Sequence, residues 1–322
     1  MERLELKADD RVLILGATGF IGRRLVTALA GMDIKLRLMA RSPSKTRGML
    51  PEGKDIEVLQ GDLMKNQDIR AALEGIYCAY YLVHSMGGKS IARGPGFADQ
   101  DKKAAGNFKD AAGEAGLKRV IYLGGLGEKG QGLSEHLSSR AEVADILSSG
   151  KTAATILRAA VIIGAGGASF EMLRYLVERL PVMICPKWIN TRIQPVAVKD
   201  VIAYLCGCLV NPDTAGKTYD IGGPEVLTYR GMMDQYAEAR GLAKRIIIDV
   251  PLLTPSLSSY WVDLVTPVPA GIAHPLIEGL KNEVVCRDSS IDTYVPITKT
   301  PFKEAVKIAF SEETSGPGVT GF

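Results

Sequence analysis

Little in this sequence points to nucleic acid or to a membrane. Its 39 basic and 36 acidic residues leave a formal charge of only +3, and no long basic run argues for a nucleic-acid partner. No segment reaches the roughly 18 uninterrupted apolar residues of a membrane span, and the charged start "MERLELKADD" lacks the apolar run of a signal peptide. We expect a soluble cytoplasmic protein, with peripheral contact with a membrane left open.

Cysteine and histidine, two common metal ligands, are scarce. The five cysteines are odd in number and mostly lie in apolar contexts, which favours reduced, buried thiols. Cys206 and Cys208 are separated by one glycine but have no matching second pair, so a packed helix is favoured over a metal or redox site. No Ser/His/Asp arrangement and no paired carboxylates demand a role. We therefore expect no metal.

What the sequence does contain is a regular alternation of strand-like and helix-like segments. Six strands are predicted, at Arg11–Leu15, Ile34–Ala40, Ile56–Gln60, Ile76–Val83, Arg119–Leu123 and Ala153–Ala159. Helices are predicted from Ile21 onward and at Asn66–Leu73, Phe97–Ala115, His136–Ser148, Phe170–Leu180, Val198–Val210, Tyr229–Arg240 and Lys303–Phe310. The alternation predicts an α/β fold, a Rossmann-type doubly wound parallel sheet with a smaller C-terminal lobe. The Rossmann domain would comprise residues 1–165, with 191–222 returning to the sheet, and the smaller lobe residues 166–190 and 223–322.

The first predicted strand runs directly into a glycine loop, "LGATGFIG". Gly16 allows a tight turn, Gly19 lets the backbone approach a pyrophosphate, and Gly22 brings the next helix close to the strand. The free N–H groups at the start of that helix attract an anion. Glycines mark many turns, but this position between a strand and an amphipathic helix predicts dinucleotide binding. The residues expected to contact the dinucleotide here are Gly16, Thr18, Gly19, Phe20, Ile21 and Gly22.

The second predicted strand ends in "MARSPSK", where a carboxylate would bind the ribose hydroxyls of NAD. Arg41 occupies that place instead, with Ser42 and Lys45 close by, and a cation there suits the 2′-phosphate of NADP. A solvated basic turn is the alternative. After the third strand, "QGDL" places Asp62 and Leu63 at the adenine, although Asp62 can equally cap the next helix.

These motifs together resemble the short-chain dehydrogenase/reductase superfamily, in its atypical or extended branch. The segments "YYLVHSMGG", "RVIYLGGLG", "ILRAAVIIG" and "RIQPVAVKDVIAYL" agree with the same family. The chain is similar to NmrA-like proteins and to the Rossmann-type accessory subunit of respiratory complex I. The resemblance implies an NAD(P)-binding Rossmann protein. In active members of the family it also implies a Ser after the fifth strand and a Y-x-x-x-K motif on the following helix.

This chain departs from the family pattern at the positions that would carry the reaction. In active members the Ser polarises the substrate carbonyl, the Tyr transfers a proton and the Lys binds the nicotinamide ribose. Gly124 and Gly125 stand where the Ser is expected, and "HLSSR" places His136 and Arg140 where the Tyr and the Lys stand. Arg140 can replace the Lys as a ribose-binding cation. The same guanidinium disfavours imidazolium, so His136 should be mostly neutral at pH 7 and a poor acid for a reduction.

The remaining expected contacts lie after the fourth, fifth and sixth strands. His84, Gly124 and Val161 are expected to line the nicotinamide end, although His84 can equally be a hydrogen-bonded loop residue. Trp188, Tyr260 and Trp261, with the aliphatic residues around them, indicate either an apolar substrate pocket or an ordinary lobe core.

Two functional hypotheses follow for this chain. The first is an NADPH-dependent oxidoreductase that transfers a hydride to an apolar carbonyl, enone or quinone, with His136 and Arg140 as the catalytic pair. The second is a non-catalytic NADP(H)-binding sensor or structural subunit, which the missing Ser and Tyr favour. A sugar-nucleotide epimerase is a weaker third, because the missing Tyr argues against it. The sequence leaves the substrate's identity and the oligomeric state open.

Overall fold

The computed structural model describes residues 7, 9–84, 97–127, 133–250 and 265–314. Its strands are β1 (Arg11–Leu15), β2 (Lys35–Ala40), β3 (Ile56–Gln60), β4 (Ile76–Tyr81), β5 (Arg119–Gly125), β6 (Ala153–Ala159), β7 (Ile162–Ile163), β8 (Val182–Pro186), β9 (Arg192–Ile193), β10 (Val196–Ala197), β11 (Thr218–Ile221), β12 (Leu227–Thr228) and β13 (Ile246–Val250). Its α-helices are α1 (Phe20–Gly31), α2 (Pro43–Arg47), α3 (Asn66–Leu73), α4 (Phe97–Glu114), α5 (Glu135–Ser148), α6 (Ala168–Arg179), α7 (Val198–Val210), α8 (Tyr229–Ala239), α9 (Ala270–Gly279), α10 (Ile291–Tyr294) and α11 (Phe302–Thr314).

Seven parallel strands of the described part form one sheet, in the spatial order β11-β6-β5-β4-β1-β2-β3. The first strand lies inside the sheet, between β2 and β4, and later strands extend the sheet on either side of it. This is the order of a doubly wound sheet, whose switch point lies between β1 and β4. The predicted α/β fold of the Rossmann type is confirmed.

The first strand shows why its sequence is apolar at successive positions. Val12 and Ile14 pack in the core beneath α1 and α7, whereas Leu13 and Leu15 pack in the core beneath α3, α4 and α5. Side chains alternate between the two faces of a strand. A central strand that is covered by helices on both faces therefore needs an apolar residue at every position.

A third apolar core lies in the C-terminal half of the chain, where α6, α8, α9 and α11 pack together. The two-stranded parallel ribbon β8–β13 adjoins this core. Four side chains of the ribbon are about half exposed, namely Val182, Ile184, Ile246 and Ile248. We call these four residues the aliphatic strip. Val182 pairs with Ile246 and Ile184 with Ile248, so the strip is one continuous apolar surface.

The predicted elements agree with the structure most closely in the sheet. The strands β1, β3 and β6 have the predicted bounds, and β5 continues through Gly124 and Gly125 because Arg158 and Ala159 of β6 pair with them. The helix α9 was not predicted, because Pro275 lies inside it and a proline usually ends a helix.

Three further sequence predictions concern residues outside the sheet. Cys206 and Cys208 lie on α7, and Cys208 is fully buried in the core, as a packed helix requires. Tyr260 and Trp261 lie outside the described residues. None of the helices in the described part is both long enough and apolar enough to span a membrane.

Candidate functional site

A cleft of about 340 Å³ opens at the carboxyl ends of the central strands. Its walls come from the ends of β5 and β6, from residues that follow β1, β4, β5 and β6, and from parts of α1, α5, α6, α8 and α9. Ligands of doubly wound sheets bind at this edge, near the switch point. The predicted site residues that line the cleft are Gly16, Gly19, Phe20, Ile21, Gly22, His84, Gly124, His136, Arg140 and Val161.

The glycine loop lies in direct backbone contact with the segment that follows β4 and with the start of α1. Gly16 has a φ angle of +86°, and a Cβ atom there would lie 2.6 Å from the carbonyl oxygen of Leu82. A Cβ atom at Gly22 would overlap the carbonyl oxygen of Gly16 and lie 2.8 Å from the Cα of Ala17. The start of α1 therefore packs against the loop backbone at a distance that only glycine permits.

The N-terminus of α1 faces the cleft without an internal acceptor. Its N-cap residue, Gly19, has no side chain that could accept a hydrogen bond, and the first turn of α1 carries no acidic residue. Thr18 is exposed beside this turn. The first N–H groups of a helix lack intrahelical partners and attract anions. This end of α1 is therefore suited to a pyrophosphate.

The end of β2 presents the predicted cations to solvent. Arg41 is exposed directly after β2, Ser42 is the N-cap residue of α2, and Lys45 is exposed on α2. Neither Arg41 nor Lys45 has an ion-pair partner within the part of the chain that the structure describes. All three residues lie beyond the walls of the cleft, so they would contact only the far end of a bound dinucleotide.

Asp62 and Leu63 follow β3 and differ in what they offer a ligand. The carboxylate of Asp62 accepts a hydrogen bond from the backbone N–H of Met64 at 2.9 Å, whereas the N-cap residue of α3 is Lys65. The alternative in which Asp62 caps α3 is therefore wrong. Leu63 packs in the core, and its carbonyl accepts a hydrogen bond from Asn107 at 3.0 Å. Of the two, Asp62 alone offers a polar side chain outside the core.

The end of β5 has little space for the Ser that the family resemblance leads one to expect. A Cβ atom at Gly125 would lie 2.9 Å from Cδ2 of Leu137 and 3.1 Å from Cδ of Arg140. A Cβ atom at Gly124 would lie 2.8 Å from Cε1 of Tyr122. The side chain of Arg140 thus lies against β5 at Gly125, in the space that the side chain of a larger residue at that position would need. The two departures from the family pattern, on β5 and on α5, are sterically linked.

Arg140 is a half-buried cation in the wall of the cleft. Its Nε atom is buried and has no hydrogen-bond partner in the described part. Burial lowers the pKa of Arg140, and the neighbouring Tyr122 and Asp101 oppose that shift. A guanidinium stays protonated in proteins, and a buried N–H without a partner costs roughly 1–3 kcal/mol. A ligand with oxygen acceptors, such as a ribose, would remove that cost.

His136 lies one helical turn before Arg140 and is only 7% exposed. Burial, and to a smaller extent the charge of Arg140, lower the pKa of His136 to about 3. The ring is therefore neutral at pH 7, as the sequence predicted, with burial as the larger cause. A neutral imidazole can accept a proton but cannot act as a strong acid.

His84 lies three residues after β4 and also lines the cleft. Its ring donates a hydrogen bond to the carbonyl of Leu123, while its Nδ1 is buried without a hydrogen bond, 3.9 Å from Oδ2 of Asp101. Burial first, then Arg140 and His136, hold the pKa of His84 well below its usual range. The interpretation of His84 as a hydrogen-bonded residue is confirmed, and its contact with a nicotinamide stays a prediction that its position in the cleft wall permits.

A second cavity, of about 200 Å³, adjoins the cleft, and we call it the side cavity. Met172, Tyr229 and Leu280 line both spaces. The rest of the side cavity is almost entirely apolar and includes Trp188, for which the sequence left open an apolar pocket or an ordinary lobe core. Val182 and Ile184 of the aliphatic strip also line it, so the side cavity approaches the surface there.

Asp101 and Tyr229 belong to this region but were not predicted. Asp101 is 6% exposed and shares the buried stripe of α4 with Ala105 and Phe108, so helical spacing would have placed its carboxylate toward the core. Tyr229 begins α8 and is 2% exposed. No local pattern indicates that this residue reaches the cleft, because the contact depends on how α8 packs against the rest of the fold.

Comparison with known proteins identifies the same kind of domain. Residues 16–163 match a family model described as NAD(P)H-binding. The protein named NADH dehydrogenase [ubiquinone] 1 alpha subcomplex subunit 9, mitochondrial, from Arabidopsis thaliana is 28% identical over 221 residues, or 67% of this chain and 54% of that protein. Ceramide reductase of Caulobacter vibrioides is 30% identical over 197 residues, or 60% of this chain and 59% of that protein. The matches thus span little more than half the length of these relatives.

Solved structures extend the likeness over the whole fold. The triphenylmethane reductase of Citrobacter sp., complexed with NADP(H), has a TM-score of 0.71 and 17% identity, covering 92% of this chain and 99% of that one. The NADPH-dependent quinone oxidoreductase of Escherichia coli, complexed with NADPH, has a TM-score of 0.71 and 18% identity, covering 93% of this chain and 99% of that one. At sequence identities of 17% and 18%, these two structures show a shared fold and nothing about the activity of this chain.

Proposed function

We propose that this chain, whose residues 16–163 match an NAD(P)H-binding family model, is an NADPH-dependent oxidoreductase of the atypical short-chain dehydrogenase/reductase type that acts on an apolar carbonyl, enone or quinone. One observation carries this proposal. The glycine loop, Arg140 and an apolar side cavity meet around one cleft at the carboxyl ends of the strands. The loop and the cation suit a dinucleotide, and the side cavity supports an apolar substrate.

The residues present fit a bound NADP(H) on two grounds. Gly16 and Gly22 pack the start of α1 directly against the loop backbone, where only glycine fits, and Gly19 places no side chain at the helix N-terminus that a pyrophosphate would approach. Arg140 is a cation in the wall of the cleft, and its Nε is buried without a hydrogen bond in the described part, so it is a donor that a polar ligand could use. Gly16, Gly19 and Gly22 would hold the pyrophosphate, Arg140 the nicotinamide ribose and Arg41 the 2′-phosphate.

The supply of a proton favours a quinone or an enone over a simple ketone. Bound NADPH would supply a hydride to an electron-poor carbon of the substrate. His136 and His84 are neutral at pH 7, and Gly124 and Gly125 provide no hydroxyl, so these residues do not form a strong acid. After a quinone accepts a hydride, one proton from water completes the hydroquinone. The chain then only has to bind and orient the substrate.

The same residues support a second candidate, a non-catalytic NADP(H)-binding sensor or structural subunit. The neutral histidines and the two glycines are what would remain if cofactor binding were kept and proton transfer were not needed. The two candidates share the cofactor site and differ in turnover. Oxidation of NADPH by apolar acceptors therefore distinguishes them.

The choice of cofactor can be tested at Arg41. We expect NADPH to raise the melting temperature more than NADH does, and Arg41→Ala to weaken NADPH binding about tenfold or more, because a charge-assisted contact with the 2′-phosphate is lost. Binding of NADH should hardly change. Arg70→Ala is the control, because Arg70 is also an exposed arginine but pairs with Glu114. Stronger stabilisation by NADH than by NADPH would contradict the role of Arg41.

Turnover can be tested with purified protein, NADPH and a panel of naphthoquinones, alkylbenzoquinones and enones. The absorbance of NADPH reports its oxidation. We expect oxidation with at least one quinone or enone. Tight binding of NADPH without turnover on any of these acceptors would favour the sensor.

A further inference from the structure

Tyr229 carries a polar group that has no hydrogen-bond partner among the described residues. The residue is 2% exposed, and its hydroxyl is buried. A buried hydroxyl without a partner costs roughly 1–3 kcal/mol, whereas phenylalanine would fill the same space without that cost. The hydroxyl of Tyr219 also has no hydrogen-bond partner among the described residues, so the case for a ligand at Tyr229 depends on its position.

The position of Tyr229 indicates which ligand atom it would meet. Its side chain lines both the cofactor cleft and the side cavity, with Met172 and Leu280, so it stands where the two spaces join. Burial raises the pKa of the Tyr229 hydroxyl, so it remains protonated and can donate a hydrogen bond. The hydroxyl oxygen is covered by neighbouring atoms, and a rotation of the phenol would bring it to an acceptor oxygen placed at the junction, beside the nicotinamide end of the cleft.

The side cavity indicates the rest of the ligand. Its walls are mostly apolar. One of the few polar groups among the lining residues is Nε1 of Trp188, which is also buried without a hydrogen-bond partner in the described part. Indole nitrogen only donates, so this wall offers a second donor to an acceptor oxygen. An apolar molecule that carries carbonyl oxygens matches such a wall. The aliphatic strip beside the cavity would accommodate a tail that extends toward the surface.

We propose that the side cavity receives the apolar tail of the substrate and that the Tyr229 hydroxyl donates a hydrogen bond to the substrate's carbonyl oxygen. This inference rests on the proposed reductase function and names the substrate site for it. Tyr229 then supplies the polarising donor that Gly124 and Gly125 do not supply. It lies on a different element, α8 rather than β5 or α5.

Tyr229→Phe removes only the hydroxyl and tests the donor. We expect the dissociation constant of a decyl-substituted 1,4-benzoquinone, measured on the NADP⁺-bound protein, to rise about fivefold to tenfold. The value of kcat/KM for that quinone should fall by a similar factor, while affinity for NADPH stays unchanged. The melting temperature should be equal to that of the wild type or higher, since no internal hydrogen bond is lost.

Tyr236→Phe is the matched control on the same helix. Tyr236 is also fully buried, but its hydroxyl donates a hydrogen bond to Oε1 of Glu178 at 2.8 Å. This variant should have a lower melting temperature and unchanged quinone binding. If Tyr229→Phe instead lowers the melting temperature as Tyr236→Phe does and leaves quinone binding unchanged, the hydroxyl is structural and the inference is wrong.

The tail site is tested by filling the side cavity at Leu176, which lines that cavity but not the cleft. Leu176→Trp should weaken binding of the decyl benzoquinone more than binding of 2-methyl-1,4-naphthoquinone, which has no long tail. Affinity for NADPH should not change. Equal losses for the two quinones, or no loss, would overturn the assignment of the tail.

These measurements separate the inference from the proposed function. Quinone binding that depends on Tyr229, with no oxidation of NADPH, would support the site and contradict the reductase. Oxidation of NADPH that does not depend on Tyr229 would support the reductase and contradict the site.

Discussion

Arg140 carries a charge and is closely packed, and the residues around it respond to its charge or leave space for its side chain. His84 and His136 are held neutral first by burial and then by this guanidinium. Tyr122 donates a hydrogen bond to the backbone carbonyl of Arg140 at 3.2 Å, and Asp101 offsets its charge. The glycines at the end of β5 leave space for the side chain. Such a residue is suited to holding a polar ligand, since its own donors are incompletely used.

Arg140→Ala should therefore weaken binding of NADPH about tenfold, because a charged donor to the nicotinamide ribose is lost. Arg140→Lys should lose less, since it keeps the charge but not the planar fork. Isothermal titration calorimetry measures both, with circular dichroism as the check on folding. The control is Arg192→Ala, because Arg192 is exposed and pairs with Glu283 at 3.6 Å. An unchanged affinity in Arg140→Ala would remove the role proposed for this residue.

At the scale of elements, the junction of β1, the glycine loop and α1 is the most constrained part of the site. Gly22→Ala places a methyl group against the carbonyl of Gly16, so the start of α1 must move away from the loop. We expect a loss of about 1–3 kcal/mol in the free energy of unfolding, as for overpacking elsewhere, and weaker binding of NADPH. Urea denaturation and calorimetry measure the two effects.

Gly31→Ala is the matched control at the other end of α1. Gly31 is exposed, and a Cβ atom there would meet nothing within 4 Å. This change should alter the free energy of unfolding by no more than about 0.5 kcal/mol and leave NADPH binding as it is. If both alanine variants behave alike, the close packing at Gly22 does not hold the loop.

Elements with a strong local pattern were predictable, and elements that depend on distant partners were not. The runs that form β1, β3 and β6 are apolar or alternating, and the structure has the predicted bounds for each. Among the described residues, the strands β8 and β13 pair only with each other, and α7 and α8 lie between them in the chain, so neither strand has a local signal for its partner. The helix α9 keeps Pro275 because packing against the third core outweighs the lost hydrogen bond.

At the scale of the whole molecule, the buried histidines make folding depend on pH. The pKa of His136 is about 3 in the folded chain and about 6.5 in an unfolded one. Between these values the unfolded chain binds the extra proton, so the contribution of neutral His136 is fully present above pH 6.5 and is lost as the pH falls toward 3. His84 acts in the same direction.

His136→Gln should therefore reduce the loss of stability between pH 7 and pH 5 by about 2 kcal/mol. Urea denaturation at both pH values gives the difference for the variant and for the wild type. Comparing the two differences cancels any constant effect of the changed side chain. An identical pH dependence in both proteins would contradict the low pKa of His136.

The sequence by itself determined the doubly wound sheet and the glycine loop, because both are encoded by the spacing of neighbouring residues. It also placed His136 and Arg140 on one face of a helix that follows β5. Only the tertiary structure decided that Asp101 lies beside His84 and that Tyr229 stands between the cleft and the side cavity. These contacts join residues on elements far apart in the chain. Their distances depend on how helices pack on the sheet, and no local periodicity encodes that packing.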